Sequence, residues 1–138
     1  MAAYQIIVDA IRDAAVSVNS TGTFIHGRRS DGSLEYNEPM PQIHLYPFIT
    51  LPQDTNRNLV FADIVMAFWQ QDSPTTTNIE REEIIAAMDV LSNEFLDALD
   101  LGELEISNIR KEPQYRTLSA TLSGYAITFK LKVFDSPC

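Results

Sequence analysis

The side chains that could do chemistry are few and scattered. His26 and His44 are the two histidines, and neither belongs to an HxxxH or HExxH spacing. A metal site built on them would need carboxylates brought in by the fold, which spacing alone does not supply. Both read as surface or cross-strand residues. Cys138 is the single cysteine and stands at the end of the chain. It has no partner for an internal disulfide or a CxxC metal site. A nucleophilic thiol needs a base held beside it, and no neighbour in sequence offers one. Arg28 and Arg29, beside Asp31, could grip a phosphate or carboxylate, or serve as turn charges or interface pairs. No GxSxG, GxxxxGK[ST] or GxGxxG occurs. The acids of residues 80–105 lack the spacing and central glycine of an EF-hand. The expectation is a protein without catalytic, cofactor-binding or metal-binding residues.

Charge is more informative. The net charge of −9 opposes simple nucleic-acid binding, because phosphate contacts require Lys and Arg. From Asn78 to Glu105 nine carboxylates stand against Arg81 alone, so this stretch holds nearly all of the excess. Two readings of it are open. Acids on a helix opposite its apolar arc make an ordinary solvated face. They also make a surface that DNA can pass without sticking, since like charge removes the gain from counterion release. On the second reading Glu94, Asp97, Asp100, Glu103 and Glu105 face a channel.

These residues need elements to position them. Tyr4, Ile7, Val8, Ile11, Ala15 and Val18 recur at helical spacing and predict an amphipathic helix over 3–18, closed by Gly22. Ile6 falls on its opposite face. Thr23–Arg28 reads as a short strand. The polar segment 29–42 follows as a long excursion, or as a hairpin tip with an irregular return. A strand resumes at 42–50, with Pro47 arguing for an edge or bulge. Residues 51–58 form a loop of hairpin length. LVFADIVMAFWQ, 59–70, is apolar on both faces and predicts a central strand.

Thr77 and Glu80 have the spacing of a capping box and start a helix that runs to about Asp100. Ile84, Ala87, Met88, Leu91, Phe95 and Ala98 mark its apolar arc. Glu82, Asp89, Asn93, Asp97 and Asp100 face away. Residues 104–109 read as a short strand, with a turn or extended link around Pro113. From 117 to 134 apolar residues alternate, first at even and then at odd positions. The change of phase at Ser123-Gly124 predicts a bulge or bend. The expected fold is one α+β domain over residues 1–138, a mainly antiparallel sheet packed against two amphipathic helices. No apolar run reaches membrane-spanning length, and the start lacks the basic and cleavage regions of a signal peptide. The chain is expected to be made in a cytoplasm.

The layout resembles the bacteriophage tail-terminator and tail-completion proteins of the head-to-tail neck, above all those of phages with Bacteroidetes-like hosts. The resemblance runs over nearly the whole chain. It rests on the helix Tyr4–Val18, the strand pair PQIHLYPF and LVFADIVMAFW, the helix IEREEIIAAMDVLSNEFLDAL and the closing YRTLSATLSGYAITFKLKV. Leu122, Gly124 and Tyr125 resemble that family's L-x-G-aromatic start of the last strand. Residues 29–42 match poorly and would form an extended arm. The resemblance implies a tail-terminator-like fold and a homo-oligomeric ring, most often a hexamer, in the virion. Such a ring joins the tail to the head connector, docks tail-tube or neck proteins and leaves a channel for genomic DNA. Ile6, Arg28, Arg29 and Tyr36 are then candidate subunit contacts. Two other classes remain: a small cytoplasmic module that binds a peptide by strand addition, and, last, an enzyme using His26 or His44 with a nearby carboxylate.

Overall fold

The computed structural model describes residues 3–27, 40–53, 56–71, 77–100, 105–116 and 122–134. Helical spacing at the N-terminus produces α1, Ala3–Val18, which buries Ile7, Val8, Ile11, Ala14 and Ala15. Tyr4, expected on that face, is 44% exposed. Ile6, expected on the far side, packs partly against the core. Strand β1, Thr23–His26, follows a tight corner in which Asn19 Nδ2 donates to Pro41 O (2.8 Å). Then come β2, Gln42–Leu45, β3, Thr50–Gln53, and β4, Asn56–Gln71. Helix α2 spans Asn78–Asp100. It is followed by β5, Glu105–Arg116, and β6, Leu122–Phe134.

The sheet runs β1-β2-β4-β6-β5, with β3 also paired to β4. It is mixed. Four pairings are antiparallel, but β1 and β2 run parallel. A parallel pair needs a crossover, so the hairpin-tip reading of 29–42 does not hold. Residues 28–39 themselves, with the proposed arm, lie outside the described residues. β2 and β3 lie end to end along one side of β4, separated by Tyr46–Ile49. Pro47 stands in that gap, where its missing N–H costs no ladder bond. The expected hairpin loop at 51–58 is mostly strand, since β3 and β4 pair as far as Gln53 and Asn56.

Both helices cover one face of the sheet. Their apolar residues meet Ile43 and Leu45 of β2, Ala62, Ile64, Met66 and Phe68 of β4, and Ile127, Phe129 and Leu131 of β6 in one core. Alternation along β4 sends Asp63, Val65, Ala67 and Trp69 to the other face. There Ala67 and Trp69 are buried with Met40 and Tyr46, whereas Asp63 and Val65 are exposed. β4 is thus central, as its composition implies, and between Ala62 and Trp69 it is buried on both faces only from Met66 onward.

The closing strand departs from expectation. β4 and β6 pair without a break from Leu122 to Phe134, so no bulge interrupts this ladder at Ser123-Gly124. Gly124 instead lies opposite Trp69 and directly over the β4 backbone. A Cβ there would overlap the Phe68 carbonyl oxygen and stand 2.9 Å from its carbon. The bulge falls on β5, where the register shifts between Ser107 and Arg110 and Asn108 takes a left-handed φ of 53°. The link expected around Pro113 is the second half of this strand. Proline is tolerated there because β5 is the sheet's edge.

Candidate functional site

The two layers of the fold present different surfaces. On the helix layer, Thr77 caps α2 as its sequence predicts. Glu80 N–H donates to Thr77 Oγ1 (3.1 Å), and the Glu80 carboxylate accepts from the Thr77 hydroxyl (2.9 Å). The buried face of α2 is set by Ile85, Met88, Leu91, Phe95 and Leu99, with Ser92 among them. This arc is rotated from the expected one: Ala87 is exposed and Ile84 and Ala98 are only half-buried. The helix packs at once on β6, β4, β5 and α1, so its contact arc is wider than a one-sided stripe. Asp89, expected to face away, is half-buried, and its carboxylate accepts from Lys111 Nζ of β5. Asn93 Oδ1 accepts from the same ammonium (2.6 Å), which stands 5.3 Å from the Tyr125 ring. Lys111 therefore ties the edge strand to the helix.

The described members of the expected channel set fall on two elements. Glu94 and Asp97 are exposed one turn apart on α2, with Glu82 and Glu83 nearer its start. Asp100 is the last residue of the helix, and Glu103 lies outside the described residues. Glu105 belongs to another element: it starts β5, and its carboxylate is 3.7 Å from Lys132 Nζ of β6. Of the expected subunit contacts, Ile6 is partly taken up by the chain's own core. Arg28, Arg29 and Tyr36 lie outside the described residues.

On the sheet layer, the face away from the helices holds an open cleft of about 610 Å³. Asp63 and Val65 of β4, Thr128 and Lys130 of β6, and Asn108–Arg110 of β5 border it. The β5 bulge shapes it, because the extra residue swings Ile109 and Arg110 relative to β6. Lys130 pairs in register with Asp63, and Arg110 with Thr128. Val65 and Ile109 are 39% and 48% exposed, an apolar patch among charges. The signal for this face lies in FKLKV, where Lys130 and Lys132 alternate with buried residues.

The histidines do not converge. His44 is fully buried, its Nε2 donating to Gly27 O (2.8 Å) and its ring 4.3 Å from that of Tyr46. It is a cross-strand residue, but not a surface one. His26 joins Tyr4 and Phe48 in a cluster of rings, with centroids 6.1 and 6.0 Å away. Burial, then the charge of Arg12, holds its pKa below the usual value of 6.5. Among the described residues no group of three or more His, Cys, Asp or Glu side chains is placed to hold a metal ion. None of the described helices is long and apolar enough to cross a membrane.

Comparison adds no family. Neither a known protein-family model nor a curated protein sequence matches the chain. The functional reading rests on the two surfaces.

Proposed function

We propose that the chain is a structural subunit of a bacteriophage neck or tail ring, of the tail-terminator or tail-completion type. It acts by shape and charge, without turnover. Copies repeat around an axis, dock tail-tube or neck proteins, and leave a channel for genomic DNA. The observation that carries this reading is the unlikeness of the two layers. The outer side of α2 exposes Glu82, Glu83, Glu94 and Asp97, whereas the sheet leaves an open face of mixed charge around Val65 and Ile109. A ring requires two different, complementary patches on each subunit, and this fold offers two on opposite layers. The resemblance of the helix–strand–helix–strand order and of Leu122, Gly124 and Tyr125 supports the same reading.

Strand addition by a peptide has less support. β5 is a long edge, but the bulge at Asn108 and the ring of Pro113 interrupt continuous pairing along it. Fractionation of purified phage particles tests the proposal. The chain should copurify with tails or necks at a fixed copy number. Particles that lack it, or a substrate turned over by the purified chain, would defeat the reading.

A further inference from the structure

Resting on the ring reading, we infer that the open sheet face receives helix α2 of a second copy of this chain. Helix α2 leaves one side uncovered. Glu83, Ala87, Val90, Glu94 and Asp97 are all exposed and recur at steps of three and four, so they form one straight stripe. Val90, 55% exposed, and Ala87 make a small apolar centre, with carboxylates on both sides. The stripe contains no base. It faces away from the chain's own sheet, which α2 meets through Met88, Phe95 and Leu99.

The sheet face carries the complementary pattern. Its apolar centre is Val65 and Ile109, and its charges include Arg110 and Lys130. Among the described residues, neither of these two bases has an ion-pair partner, whereas Lys132 is taken by Glu105. Arg110 lies opposite Thr128, so Lys130 is its diagonal neighbour across the β5–β6 ladder, roughly 7–8 Å away. Glu94 and Asp97, one turn apart, are separated by roughly 5–6 Å at Cβ. Long, flexible basic side chains span that difference. Docking α2 along the cleft places Val90 against Val65 and Ile109 and sets Glu94 and Asp97 toward Arg110 and Lys130.

Among the described residues Asp63, Glu105 and Glu112 are acids on the same face; Glu105 is already paired with Lys132, and Asp63 sits in register with Lys130. Asp63 opposes an incoming carboxylate. This makes the interface tunable, and it supplies a gain-of-association variant. Because the two patches lie on opposite layers, the contact is heterologous. Each copy uses its helix toward one neighbour and its sheet toward the other, so contacts run head to tail, and they close into a ring where the rotation per copy divides a full turn.

Sedimentation of the full chain over a range of concentration and salt tests this. Wild type should self-associate, more weakly at high salt. Arg110→Glu with Lys130→Glu should weaken association at least about tenfold, and so should Glu94→Lys with Asp97→Lys. The chain carrying all four reversals should recover association, since attraction is restored with the signs exchanged. Asp63→Asn should tighten it. All five positions are exposed, and melting curves will show that the variants fold. Association that ignores both reversals would overturn this interface and leave the ring reading standing. A wild type that stays monomeric would also overturn it, while the ring reading would still be judged by copurification with particles.

Discussion

Replacing Gly124 with alanine probes the tightest point of the fold. Gly124 pairs with Trp69 in the unbroken β4–β6 ladder, where Trp69 and Phe68 are fully buried. An added Cβ would overlap the Phe68 carbonyl oxygen and approach the Phe68 carbon to 2.9 Å and Trp69 Cα to 3.2 Å. Non-bonded carbons prefer roughly 3.5–4.0 Å, so β6 must draw back from β4. Overpacking of this kind costs about 1–3 kcal/mol. Stretching the local ladder bonds adds about 1 kcal/mol. The lower backbone entropy of an unfolded alanine offsets about 0.4–1 kcal/mol. The net loss is about 1–3.5 kcal/mol, which for a chain of this size lowers Tm by roughly 3–12 °C. Thermal melting by circular dichroism, with urea unfolding to check that the m-value is unchanged, measures it. A Gly124→Ala protein that melts within about 2 °C of wild type would refute the close strand approach.

Other perturbations follow from the same structure. Thr77→Ala removes the cap of α2 and should cost about 1 kcal/mol by urea unfolding. Asn108→Gly should be neutral or slightly stabilising at the left-handed bulge, whereas Asn108→Val should cost about 1–2 kcal/mol. A double-mutant cycle of Lys111→Met with Asp89→Asn should show a coupling of about 1 kcal/mol, since both side chains are partly exposed. His26 is held below its ordinary pKa, so the unfolded chain takes up its proton first. Stability should therefore fall as pH drops from about 6.5 through the lower folded value, and His26→Phe should flatten that part of the profile.

Much of this fold was legible because local rules and tertiary packing agree. The spacing of Ile7, Ile11 and Ala15, the Thr77–Glu80 cap and the two-faced apolar run at 59–70 each mark their element. The failures came where a distant contact decides. The parallel β1–β2 pairing depends on a crossover through residues 28–39, which periodicity does not encode. Pro113 reads locally as a breaker and is accommodated because β5 is an edge. The phase change at Gly124 reads as a bulge, but the glycine answers a close backbone approach, and the bulge belongs to Asn108 on the neighbouring strand. The acidic stretch reads as one surface, yet Glu105 is turned by β5 toward Lys132, and Asp89 is recruited by Lys111. The cleft around Arg110 and Lys130 joins three strands, and only the alternating lysines of FKLKV hinted at it.

Electron microscopy of the purified chain, alone and mixed with assembled phage tails, tests the central claim most directly. Closed rings of one size should appear, free in solution or seated at the tail end. Single 15.5 kDa subunits in both preparations, with bare tails, would contradict it.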